Sequence, residues 1–247
     1  MVLSLAVVCE AAADQQTGSD LADRVVRAEV AWIEDGHLMH LRTWRGFTLA
    51  DRFLPWTQVD DLARAQRIRA HGHFDGRPGA PDAHVTRLAL LLFIAADPRP
   101  DGVVLLRDDD RQTARRTGLE QARNTSRIGV PIVIGLAHPK RECWVLAGFD
   151  PENEHESDRL NALRQELGFD PRERAEELTA KHVTAKRDAK RVLQALTGGD
   201  PQRQADCWTK TGLPLLAARG QKTGLAEYLA EVGQRLVPLF TGHQKPS

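Results

Sequence analysis

The chain has three cysteines, no net charge and no apolar run of membrane-spanning length. Each shortage removes a class of protein. Cys9, Cys143 and Cys207 are too few and too far apart for a disulfide framework, and no pair has zinc-ribbon spacing. They read as reduced, buried thiols. Lys and Arg together number 34, as do Asp and Glu, so no overall field draws in nucleic acid or a membrane. Any electrostatic footprint is a local patch. The apolar run at 2–8 lacks a basic lead, is too short for a span and meets Glu10 in place of a small-residue cleavage site. A cytoplasmic protein with no membrane partner is expected. P-loop and dinucleotide fingerprints are missing as well, so nothing marks the chain itself as an ATPase. Internal repeats, heptads and low-complexity tracts are also missing.

What is present is a set of apolar runs that end in acids. At 103–110, Val-Val-Leu-Leu-Arg runs into Asp108, Asp109 and Asp110. An uninterrupted apolar run suits a parallel strand covered on both faces, and open α/β sheets place their chemistry at the carboxyl ends of such strands. An Asp-rich turn after a strand accounts equally well for the acids alone. The run at 2–8 ends at Glu10, and a third at 130–136 is followed by Glu142. Three strand ends near carboxylates outweigh one. Carboxylates a few ångströms apart repel by roughly 4 kcal/mol per pair at an intermediate dielectric, so a cluster needs protonation or a cation. Oxygen ligands of this kind favour Mg²⁺ or Mn²⁺. Asp109 is expected to point into solvent.

The intervening segments fill out an α/β pattern. A small-residue turn is expected at 11–20, then a helix with Leu21, Val25 and Ala28 on one face, capped by Ser19 or Asp20. A strand or hairpin about Asp35-Gly36 is expected between Val30 and Trp44. The stretch 62–84, rich in Arg, His, Gly and Pro, reads as a loop. It either approaches a phosphate backbone through Arg69 and Arg77 or simply connects two elements. His71 and His73 are weak metal ligands on this evidence. A Leu- and Ala-rich helix is expected at 83–95 and a surface helix at 112–123. From Asp150 the chain turns highly charged and helical. One helix is expected at 172–196, with Lys181, Lys186, Arg187, Lys190 and Arg191 on its basic side and Gly198-Gly199 as its stop. One or two more are expected at 204–240. Trp144, Cys9 and Cys143 read as core.

Glu10 after the first strand and Asp108-Asp109-Asp110 after a later one resemble the acidic motifs of the Toprim superfamily. The segment Cys9-Glu10-Ala11-Ala12-Ala13-Asp14 is similar to the Glu-Gly-x-x-Asp opening of OLD-type nucleases, with Ala11 where Gly is usual. The run from His138 to Ala147 resembles a Pro-x-x-Glu-Ala-Trp-Leu-Leu-Ala segment of a Toprim-like branch, with Cys143 in place of Ala. The resemblance covers residues 1–150 and implies a mostly parallel Toprim-like sheet flanked by helices, with 151–247 as a helical extension. It implies a Mg²⁺- or Mn²⁺-dependent nuclease on DNA or RNA, working in defence against phage or plasmids beside an ATPase subunit or as a homo-oligomer. Glu10, Asp14, Asp108, Asp110 and Glu142 would hold metal. Glu10 would double as acid or base, and Lys186 would stand near the leaving phosphate. Arg69, Arg77 and Lys190 would meet the nucleic acid. A non-catalytic metal-binding subunit and a small-molecule phosphatase are the alternatives.

Overall fold

The run at the amino terminus forms strand β1 (Leu3–Cys9), buried along nearly its whole length because it carries no charge to expose. The computed structural model describes residues 2–34, 36–74, 76–112, 114–180, 182 and 184–242. Two compact units divide the chain, Met1–Leu136 with Glu231–Ser247, and Ala137–Ala230. The division falls after Leu136, where the sequence suggested 150, and the last residues return to the first unit. Among the described residues no helix is long and apolar enough to cross a membrane.

After β1 come α1 (Ala12–Glu29), α2 (Leu38–Leu41), β2 (Arg42–Arg45), β3 (Leu54–Pro55), α3 (Val59–Ala65), β4 (His73–Phe74) and β5 (Arg77–Pro78). Then follow α4 (Ala83–Ala95), β6 (Gly102–Asp108), α5 (Arg115–Asn124) and β7 (Ile132–Ala137). The main sheet is ordered β2-β1-β6-β7, and the fold is α/β with a mostly parallel sheet. Leu3 to Ala6 pair with β2, Val8 and Cys9 with β3, and Leu5 to Val8 with β6. Val8, Leu92, Phe93, Val103, Leu105 and Ile134 are buried together in one core. Burying side chains of this size stabilises by about 1.5–3 kcal/mol each.

The second unit is helical. It holds α6 (Glu142–Ala147), α7 (Glu154–Leu167), α8 (Ala189–Thr197), α9 (Pro201–Thr209) and α10 (Leu213–Arg219). The chain then runs through α11 (Leu225–Arg235) to α12 (Val237–Thr241), so the C-terminal region is helical, as expected.

Six expectations are corrected. The supposed turn at 11–20 is the first half of α1, whose N-terminus forms because the Asp14 carboxylate accepts the Ala11 N–H at 2.9 Å. Gly18 is a packing glycine there: a Cβ would lie 2.4 Å from Leu106. Ala28, placed on the buried face, is exposed. The hairpin at 30–44 is instead α2 followed by β2, parallel to β1; Asp35 of its turn pair lies outside the described residues. The helix expected at 172–196 shrinks to α8. The Asp188 side chain accepts the Arg191 N–H at 2.8 Å and starts the helix there, while residues before it form turns and a Thr179–Asp188 bridge. Lys181 and Val183 lie outside the described residues. Gly198 in the left-handed region ends α8 as read. The 204–240 segment makes several helices because Gly212 and left-handed Gly224 interrupt it. The 62–84 loop begins only after α3 and holds the β4–β5 hairpin.

Candidate functional site

Neighbouring parallel strands release their chains at the same edge of the sheet. With Val8 opposite Leu105, Glu10 follows β1 beside the end of β6, where Arg107, Asp108, Asp109 and Asp110 emerge. The backbone turns sharply there: Asp110 and Arg111 both have left-handed φ, 46° and 64°. That turn sorts the acids. Asp109 is buried at 6% exposure, and its Oδ1 accepts the Arg111 N–H at 2.8 Å, so the expectation that it faces solvent is corrected. Asp110 is the exposed one of the three.

Two arginines thread between these acids. Arg107 Nε lies 3.7 Å from Glu10 Oε1 and 3.3 Å from Asp82 Oδ2, and its guanidinium stands 5.1 Å from the Trp56 ring. Trp56 is itself fixed, donating Nε1–H to the Leu106 carbonyl at 2.7 Å. Arg115 is nearly buried. Its Nε lies 3.0 Å from Asp82 Oδ2, and its Nη1 donates to Asp110 Oδ2 at 3.1 Å and to the Asp108 carbonyl. Asp82, left-handed at φ 65°, precedes α4 and serves both arginines. Sequence reasoning passed over Arg107, Arg115 and Asp82. The one signal was Arg107, a cation closing an otherwise apolar strand.

The carboxyl group of Glu10 is pushed above its ordinary pKa, chiefly by burial. Arg107 opposes that shift, Asp110 and Asp14 add to it, and Arg115 again opposes it. Asp14 and Asp110 therefore both act electrostatically on Glu10. The donors are right in kind for a hard divalent cation, being carboxylates without a soft ligand. Among the described residues, however, no group of three or more His, Cys, Asp or Glu is placed to hold an ion. Arg107 and Arg115 face Glu10 and Asp110 where a cation would.

The other candidates stand on other elements of the first unit or in the second unit. Arg69 and Arg77 are exposed in the first unit, Arg77 on β5. Glu142 opens α6 in the second unit, buried at 7%, with Arg141 Nη2 3.6 Å from its carboxylate. Lys186 is exposed in the turns before α8, and Lys190 is exposed on α8. Burial raises the Cys9 thiol well above its usual range, and its Sγ donates to the Ala11 carbonyl at 3.3 Å, which suits packing and not nucleophilic attack. Trp144 donates to the Thr223 carbonyl at 2.7 Å and stacks on Tyr228, a core position. Comparisons with family models, with curated proteins and with solved structures find no match to this chain.

Proposed function

We propose that the chain is a divalent-metal-dependent phosphodiesterase acting on DNA or RNA, with its centre at the shared end of β1 and β6. One observation carries the reading: two adjacent parallel strands deliver Glu10 and Asp108 to one edge, where Asp14 and Asp110 also act on Glu10. Glu10, Asp14, Asp108 and Asp110 would hold Mg²⁺ or Mn²⁺. When bound, the ion would polarise a phosphoryl oxygen and acidify a water. Glu10, whose proton is held more tightly than usual, suits proton transfer to or from the reacting group. Arg107 and Arg115 offer planar donor pairs that match a phosphate once the acids turn to metal. Arg77, exposed on β5, would meet the nucleic acid. The same resemblance supports a role in defence against phage or plasmids beside an ATPase.

The test is cleavage of plasmid, linear duplex and RNA across a Mg²⁺ and Mn²⁺ titration, comparing wild type with Glu10→Gln and Asp108→Ala. Metal-dependent cleavage that falls about a hundredfold or more in both variants is expected. Equal activity in all three proteins would sink the proposal. A second reading rests on the arginines: Glu10 and Asp110 already have cationic neighbours, which suits a non-catalytic subunit. Mn²⁺ binding without cleavage of any substrate favours that reading.

A further inference from the structure

A cavity of about 700 Å³ in the first unit is bounded by α4, the end of α5 and the loop before β4. Arg69, Arg87, Arg99 and Arg127 line it, and Leu91 and Ile94 form part of its floor. Among the described residues no carboxylate does. Two of the arginines have structural work. Arg87 Nη1 donates to the carbonyls of His71 and His73 at 2.7 and 2.9 Å, and its guanidinium lies 3.5 Å from the Phe74 ring centre. Arg99 Nε donates to the Ile94 carbonyl at 2.7 Å. Arg69 and Arg127 are exposed and have no hydrogen bond or ion pair among the described residues.

The charge around the cavity is therefore uncompensated. The C-terminal ends of α4 and α5 each contribute about half a negative charge, which two unpaired guanidinium groups exceed even before Arg87 and Arg99 are counted. A neighbouring cavity of about 760 Å³ shares Arg69, but Asp60 lines it and its Arg64 is paired with Asp61 at 2.8 Å. Planar, permanently charged guanidinium groups select phosphate, which they grip through paired N–H donors. Leu91 and Ile94 would stay wet beneath a bare inorganic anion, so the ligand has an apolar or ring-shaped body as well. The volume is that of a small-molecule pocket and not of a groove for a continuous strand.

We infer that this cavity binds an organic phosphate of mononucleotide size, its phosphates held by Arg69 and Arg127 and its body laid on Leu91 and Ile94. Arg99 precedes β6 and the acids follow it, so the cavity and the acidic edge belong to opposite ends of that strand. Binding here requires no cleavage activity. It gives Arg69 a role other than the strand contact expected from the sequence.

Calorimetric titration at low salt decides the matter, with ADP, adenosine, pyrophosphate and a short single strand of thymidylate as probes. ADP is expected to bind, pyrophosphate more weakly, and adenosine not measurably. The Arg69→Gln/Arg127→Gln double variant, with an unchanged circular dichroism spectrum, should weaken ADP binding about a hundredfold, and Arg127→Gln alone about tenfold. The inference is overturned if wild type ignores ADP, if both variants bind it as wild type does, or if pyrophosphate binds as tightly as ADP. Binding of the single strand with none of ADP overturns it too, in favour of a strand contact.

Discussion

Arg115→Gln separates what holds the acidic edge together from what the edge is for. Arg115 is 9% exposed at its side chain and touches Asp82 at 3.0 Å, Asp110 at 3.1 Å and the Asp108 carbonyl. Removing one member of a buried ion pair costs about 3–5 kcal/mol, because the partner is left without compensation. Two features reduce that here. Arg107 remains 3.3 Å from Asp82, and Asp110, at 47% exposure, can be solvated instead. A loss of about 2–3 kcal/mol follows, confined to the first unit. Two compact units make a single unfolding free energy ill-defined, so hydrogen exchange on peptides of β6 and α5 is the suitable assay. Exchange there should speed up by about thirty- to a hundred-and-sixtyfold. The same substitution releases Asp110, so if the acids bind metal, Mn²⁺ affinity should rise, read from the spin-resonance signal of the free ion. Unchanged exchange would refute the clamp, and unchanged or weaker Mn²⁺ binding would refute the metal assignment.

Asp170 gives a pH signature in the second unit. Burial alone would raise its carboxyl, but hydrogen bonds from Arg172 and Arg164 outweigh it and bring the pKa down to about 2. A depressed carboxylate stabilises above its unfolded pKa and loses that contribution as pH falls through the folded one. Asp170→Asn should therefore cost about 1–2 kcal/mol at neutral pH after allowance for screening, the gap narrowing from about pH 4 toward pH 2. Hydrogen exchange on second-unit peptides spanning 160–174, compared between variant and wild type at each pH, measures it, and a constant gap would count against the assignment. Gly118→Ala should be severe, since its Cβ would lie 1.8 Å from the Pro81 carbonyl oxygen and 2.9 Å from the Ala83 nitrogen, both backbone atoms. Displacing α5 to relieve that clash costs about 3 kcal/mol or more. Hydrogen exchange in α4 and α5 equal to that of wild type would show that the close approach is not required.

The elements readable in advance were those whose signal is local. β1, β6 and β7 are buried strands and so appear as plain apolar runs, and α4 spans the expected residues 83–95 because proline and polar residues bracket its Leu and Ala. β2, with Arg-Thr-Trp-Arg, has no such run and is a strand only because β1 is beside it. Gly18 looked like a turn because its reason, contact with Leu106, is distant in sequence. The acids at the strand ends were legible for the same reason as the strands. Their arginine partners were not, because the left-handed turns at Asp82 and Asp110 decide which guanidinium reaches which carboxylate. The burial of Asp109 likewise depends on that turn and leaves no trace in composition.

The return of residues 231–242 to the first unit has a consequence for synthesis. A nascent chain that has already made β1, β6 and β7 still lacks Leu236 and Leu239, which lie over Gly102, and Glu231, which pairs with Arg123 at 2.7 Å. The interrupted unit cannot seal its sheet until the segment through Leu239 has left the ribosome. The uninterrupted one, 137–230, is complete before that and is free to close first.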